Sequence, residues 1–385
     1  MSAITGSGSR RRAATVSIAA IAAVGLFAGC AGGGGSEETA APNVISEGVP
    51  DYYPADYQEI IDGSKEESGE LTIYSNTDQE NWEPIFRDFQ KKYPWVKTIN
   101  ANNLDSDEVF QRALSEQATG DSPADLLVSN AAQAWADYAE RPDTLTEYSS
   151  PELGELPEFA TLLPNVYAMS ADPMTIAYNS ALVTDPPTGI ADLAEKVAAD
   201  SELYAGKITT RDVNGAFGFT VSYNFTENVE DAWDSLETIL PNAKPETSSG
   251  TQGEKILAGE YVAGFFISGA PSYPIVESSG GLFQVVFPED GTVVLPRGIG
   301  IAPDAPNVNT AKLFTDFVLS DEGQRAVAEG GLTSYRDSVE AAEGLHTYQE
   351  VVDEVGEENV ILAPYDLVPE DQVNEFVSQW DGLLG

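Results

Sequence analysis

Short apolar runs that end in a polar loop and give way to a helix-patterned segment recur along this chain, and that alternation is what most limits its possible folds. In LTIYSNTDQENWEPIF, Leu71 to Ile73 reads as a strand that stops at Tyr74. Ser75-Asn76-Thr77-Asp78 reads as a loop, and Trp82, Ile85, Phe86 and Phe89 fall on one face of a helix. ADLLVS is a short strand before a helix carrying Ala131, Ala134, Trp135 and Tyr138. MTIAYNS, GKITT, YVAGFFIS, FQVVF and VVLPRGIGIA repeat the strand signal, and EDAWDSLETIL and NTAKLFTDFVLSDEGQRAVAEGG the helical one. Strands alternating with helices predict α/β layers, with the first strand starting near Glu70.

Pro84 bears on where the first of these helices begins. Thr77 and Glu80 have the spacing of a capping box. A start at Thr77, however, puts Pro84 in the helix interior, where proline costs about 3 kcal/mol. A start at Asn81 places Pro84 in the first turn and leaves Ser75 to Glu80 as an exposed loop, and this is the expected arrangement.

The 385 residues hold 63 acidic and 19 basic side chains, for a formal charge of −44. That balance argues against nucleic acid and anionic membrane surfaces as partners, since both need a basic footprint. One histidine, His346, and one cysteine, Cys30, leave too few ligands for a zinc site and little for a nucleophile–histidine pair. No phosphate-loop or dinucleotide glycine pattern opens a helix. Paired carboxylates are too numerous to exclude by counting, so a surface-anchored hydrolase stays open as another class.

Six polar junctions remain: Ser75 to Asp78, Ser129-Asn130, Tyr178-Asn179, Arg211 to Gly215, Ser248 to Thr251, and Ser268-Gly269 with Tyr273. In α/β sheets, ligands sit beyond the carboxyl ends of strands, where helix N-termini offer free N–H groups. Six junctions in one chain predict a binding cleft.

The N-terminus reads as a targeting segment. Arg10-Arg11-Arg12 precedes an apolar run from Ala13 to Phe27, too short to span a membrane, and then GLFAGC ends at Cys30. This resembles a bacterial lipoprotein signal, with Phe27 where leucine is commoner. The resemblance implies removal of residues 1–29 and lipid on Cys30. AGGGGSEETAAPNVISEG continues as a tether by composition.

From Glu70 onward the chain resembles the extracytoplasmic solute-binding proteins of ABC importers. The similarity is to the group that binds ferric iron, phosphonates, sugar phosphates, thiamine and polyamines. The residues that carry it are LTIYSNTDQENWEPIFRDFQKKYPWVK, ATGDSPADLLVSNAA, MTIAYNSALV, EKILAGEYVAGFFI, VVFPEDGTVVLPRGIGIAPDAPNVNTAKLFTDFVLSDEGQ and QWDGLL. It implies a type II-like periplasmic-binding fold, with two α/β lobes joined by crossover strands around a ligand cleft. The expected layout is a signal over 1–29, a linker over 30–68, and lobe one over 69–175 plus about 297–385, part of the tail packing on lobe two. Lobe two is then 176–296, with hinge strands near Met174 to Asn179 and Val293 to Ile301. No catalysis and no cofactor are implied. The partners are a small solute, a permease and ATPase, and the membrane through the lipid, and the protein is expected to act as a monomer.

Ligand residues expected on this basis are Ser75, Asn76, Thr77, Asp78, Ser129, Asn130, Tyr178, Arg211, Asn214, Gly215, Ser248, Ser249 and Tyr273. Ferric binders of the group use adjacent tyrosines after the strand matching Tyr261 to Ile267. Here that place reads SGAPSY, so no metal ligand set is favoured. Tyr273, Tyr178 and Asp78 are the donors if iron is bound, and a ferric chelate is a further option. A small oxygen-rich anion such as a phosphonate or phosphorylated compound fits the short hydrogen-bond donors and Arg211 better. A polyamine-like or thiamine-like cation would instead use Asp78, Asp212, Tyr178, Tyr273 and Phe217.

Overall fold

The strand Val166–Asn179 has 14 residues, about 46 Å of extended chain, which lets one strand serve two sheets in turn. The structure is a computed structural model, and it describes residues 49–342 and 344–385. The expected signal, Cys30 and residues 30–48 of the linker lie outside the described residues. Strands in chain order are β1 (Glu70–Ser75), β2 (Thr98–Asn103), β3 (Leu126–Ser129), β4 (Thr161–Leu163), β5 (Val166–Asn179) and β6 (Ile208–Arg211). They continue as β7 (Ala243–Glu246), β8 (Ala263–Ser268), β9 (Phe283–Val286), β10 (Thr292–Ile301) and β11 (Val360–Leu362).

The sheet order is β2-β1-β3-β10-β5-β8-β6-β7, with β11 on β10 and β4 and β9 on β5. Tyr167 to Pro173 of β5 pair antiparallel with β10, and Met174 to Tyr178 pair antiparallel with β8. On either side the strands run parallel, β1 with β2 and β3, and β6 with β7 and β8. Helices cover both halves, as parallel pairing requires.

Two cores follow from this arrangement. In the first, Leu71, Ile73, Trp82, Phe89 and Phe314 pack with Tyr167 and Met169 of β5 and Ile299 and Ile301 of β10. In the second, Ile208, Phe225, Leu236, Phe265 and Phe266 pack with Met174 and Ile176 of β5 and Val293 and Leu295 of β10. Two strands thus cross between two α/β lobes, each with its own apolar interior. The helix Glu370–Leu383 adds Phe376 and Trp380 to the second core, so the tail ends on lobe two.

Two local expectations are corrected. The helix after β1 runs Gln79–Lys92, with Asp78 at its N-cap position, so it begins before Asn81 and Pro84 lies in its second turn. Proline there denies a hydrogen bond to the carbonyl of Glu80, and Glu80 is exposed, where solvent can satisfy it. The stretch read as linker also contains the helix Tyr57–Glu66. Its buried residues Tyr57, Ile61 and Ser64 share one face. The Tyr57 hydroxyl donates to Asp316 Oδ2 at 2.7 Å. Glu67 then accepts from the backbone N–H groups of Asn309 and Thr310 at the start of the helix Val308–Leu319. Among the described residues, no helix is long and apolar enough to cross a membrane.

Candidate functional site

The carboxyl ends of β1, β3, β6 and β8 converge, with β10 beneath them, on a cleft between the lobes of about 540 Å³. On the lobe-one side its polar groups are tied to one another. Asn76 Nδ2 donates to Asn130 Oδ1 at 2.8 Å, and Asn103 Nδ2 to Asp78 Oδ1 at 2.8 Å. Arg297 Nη1 donates to Asn76 Oδ1 and Thr77 Oγ1, both at 2.9 Å. Its Nε and Nη2 hold Asp172 Oδ2 at 3.1 and 2.8 Å. Asp172 Oδ1 accepts from the Thr333 N–H. Arg297 and Asp172 are buried, and a buried pair persists only when its remaining polar atoms are also matched, as here.

The lobe-two side is different. Arg211, at the end of β6, is only 8% exposed and lies over the Phe217 ring at 4.4 Å. Its Nε and Nη1 have no hydrogen-bond partner among the described residues. Burial pushes the guanidinium down to about 10, with Asp212 and Asp105 opposing the shift, so it is charged at neutral pH. Ser248 caps the helix Ser249–Leu257 through the Thr251 N–H. Ser249 Oγ accepts from the Ser268 N–H, while the buried Ser268 Oγ has no partner among the described residues. Gly218 lets the helix Ala216–Asn228 start against this floor, because a Cβ there would lie 2.0 Å from the Asp212 carbonyl oxygen.

β8 bends just before Ser268. Its pairing with β5 shifts between Thr175↔Ile267 and Ala177↔Gly264, and Phe266 takes φ 56 in the gap. A left-handed residue of this size costs about 1–2 kcal/mol. The Phe266 ring is held by Phe225, Phe265 and Trp380. Bulges of this kind re-aim a strand end beside a site.

One contact spans the cleft. Asp107, ahead of the lobe-one helix Glu108–Thr119, accepts from the Ala216 N–H at 3.3 Å at the start of the lobe-two helix. Burial raises the Asp107 carboxyl above its ordinary value; the Ala216 bond opposes this and Asp105 adds to it.

Of the residues expected from sequence, Asn76, Thr77, Asp78, Asn130, Arg211, Gly215, Ser248 and Ser249 line the cleft. Asp212 and Phe217 do as well. Ser75 and Ser129 do not: each is buried at its strand's last position, with Oγ accepting from the N–H two residues on, Thr77 and Ala131. Asn214 turns away to Asp212 and, at 3.5 Å, Asp381. Tyr178 packs against the lobe-two core. Tyr273 folds back over Gly269, where a Cβ would come within 2.6 Å of its hydroxyl, and stacks on His346 at 3.5 Å. The ferric set of Tyr273, Tyr178 and Asp78 is therefore not assembled, since only Asp78 reaches the cleft. Among the described residues, no three histidine, cysteine, aspartate or glutamate side chains form a metal-holding group.

The sequence reading missed Arg297, Asp105 and Asp107. Arg297 carried a signal, being a lone charge inside an apolar strand pattern, which demands a buried partner. The two aspartates carried none in a chain with 63 acidic residues.

Two lobes hinged on crossover strands, with an unmatched cation in the cleft between them, define a solute-binding architecture. The sequence matches the bacterial extracellular solute-binding protein family over residues 85–351, and the chain belongs to that family. An uncharacterised protein of Haemophilus influenzae is 32% identical over 103 residues, which is 26% of this chain and only 29% of that relative's length. Among solved structures, the substrate-binding protein of an ABC transporter from Agrobacterium tumefaciens superposes with a TM-score of 0.74 at 20% identity. That match covers 82% of this chain and 94% of the other. AfuA from Actinobacillus pleuropneumoniae, with fructose-6-phosphate bound, gives 0.63 at 20% identity over 82% and 99%. Iron-bound HitA from Pseudomonas aeruginosa gives 0.60 at 20% identity over 82% and 99%.

Proposed function

We propose that this protein is the solute-capturing component of an ABC importer, tethered outside the cytoplasmic membrane by lipid on Cys30. It acts as a monomer and carries out no catalysis. It takes up a small solute bearing an oxyanion, a phosphonate, phosphate ester or carboxylate, closes its lobes over it and delivers it to a permease and ATPase. The observation that carries this reading is Arg211, a buried cation whose Nε and Nη1 point at no acceptor among the described residues. A buried guanidinium left without acceptors is costly, and an oxyanion supplies them in a bidentate, charge-assisted geometry. The N–H groups at the starts of the helices Ala216–Asn228 and Ser249–Leu257 add to the attraction. Closure around the ligand is then a shift between two lobe arrangements that the ligand's contacts bias.

Native mass spectrometry of the purified protein, before and after denaturation, tests the reading. A retained organic or phosphorus-containing mass that Arg211→Met no longer retains is the expected result. An iron-sized increment unaffected by Arg211→Met, or turnover of a sugar or ester substrate, would overturn it.

A further inference from the structure

Charge is divided unequally between the two walls of the cleft. Lobe one faces it with Asp78, Asp105, Asp107 and Glu108 and with no cation, and lobe two with Arg211 and with Asp212, whose Oδ1 already accepts from Asn214. Arg297, at the hinge, is already committed to Asp172 and to the Asn76 and Thr77 side chains. Arg211 on lobe two is the one cleft-lining cation among the described residues that lacks acceptors. Asp105 is close enough to Arg211 to oppose the effect of burial on it, so the acidic wall and the free guanidinium act on the same space.

An anion held at Arg211 alone fits this space poorly, for two reasons. At about 540 Å³ the cleft is of a size that takes small organic molecules, with room beyond a bare oxyanion. A second negative charge on the ligand's far end would meet the lobe-one carboxylates, and each such pair repels by about 1 kcal/mol at 4 Å even with the dielectric of water. A positive charge at that end reverses the sign. Asp107 has already spent one oxygen on Ala216 N–H, whereas the exposed Asp105 carboxylate accepts no hydrogen bond from a described residue, and the Asp78 carboxylate has one oxygen beyond the bond from Asn103.

We infer that the ligand is a zwitterion, its oxyanion on Arg211 in lobe two and its ammonium group between Asp78 and Asp105 in lobe one. The inference rests on the oxyanion reading above. It gives the closing motion a cause, because one molecule with opposite charges at its ends draws the lobe-one carboxylates and Arg211 of lobe two together. It also disfavours ligands with a second anionic group at the far end, which the lobe-one carboxylates repel.

Titration calorimetry with matched compounds tests it: 3-aminopropylphosphonate against propylphosphonate, 5-aminopentanoate against pentanoate, and 1,5-diaminopentane. The amino member of one pair is expected to bind at least about tenfold more tightly than its partner, a difference of about 1.4 kcal/mol. The double variant Asp78→Asn, Asp105→Asn should erase that advantage while leaving the affinity for the amine-free member equal or better. Both positions are at the cleft rim rather than in a core, so the fold is expected to survive, and circular dichroism verifies it. Equal or tighter binding of the amine-free acids would overturn the zwitterion and leave the oxyanion reading standing. Binding of the diamine alone, or of none of the five, would overturn both.

Discussion

The two walls of the cleft are built from similar residues in opposite states. Asn76, Thr77, Asp78, Asn103 and Asn130 on lobe one satisfy one another or are satisfied by Arg297. Arg211 and Ser268 on lobe two are buried and have atoms with no partner among the described residues. The two arginines make the contrast sharpest. Arg297 is 3% exposed and matched at every nitrogen, and Arg211 is 8% exposed and matched at neither Nε nor Nη1. Polarity alone therefore does not mark a binding wall. Unpartnered buried atoms that also line the cleft, as at Arg211 and Ser268, are where a ligand can supply the missing bonds.

The largest effect expected from this contrast is on Arg297. Arg297→Met strips Asp172, a fully buried carboxylate, of its cation, and should cost about 3–5 kcal/mol in urea unfolding. Arg211→Met should do the reverse to the ligand-free protein, leaving stability unchanged or raised, while weakening oxyanion binding by about 2–5 kcal/mol. Equal losses of stability at the two sites would break the comparison.

A smaller effect concerns a buried carboxylate behind lobe one. Asp316 accepts from Tyr57, Tyr148 and Ser150, yet burial raises its carboxyl from 3.8 to about 6 against those three donors. A raised acid contributes stability that is full below its unfolded value and is lost as pH rises through its folded value. Lowering pH from 7 to 5 should then add about 1 kcal/mol through this group, and Asp316→Asn should flatten that part of the profile. An identical pH profile for protein and variant would show that the three donors offset burial, and that lobe one matches this buried charge fully.

How much of this was legible in the sequence follows from what each residue type advertises. β1 begins at Glu70 as read, and β10 announces itself as a long apolar run, but of β5 only the second half, from Met174, is read as strand, because Ser170, Asp172 and Pro173 interrupt the first. The junction loops were legible too, since a polar run between a strand and a helix has few other places to be. Direction within the loop was not. Ser75 and Ser129 end their strands on the core side and brace the turn, and the residues after them line the cleft, a difference of one position that polarity does not encode. Tyr273 looked like a ligand donor by its place after β8. Its ring lies over Gly269 and against His346, a packing choice made by residues distant in sequence. The helix Tyr57–Glu66 was hidden by its charged outer face, which resembles a tether in composition.

Contacts between segments far apart in sequence bear on how the chain folds. Lobe one needs Tyr57 from the start of the described chain and Asp316 from much later, and lobe two needs Trp380 near the last residue. Neither interior can be completed from a partial chain. Contacts this distant in sequence make folding slow, because loop closure must precede the contacts that reward it. A chain without the helix Glu370–Leu383 lacks Phe376 and Trp380 and leaves the lobe-two interior open.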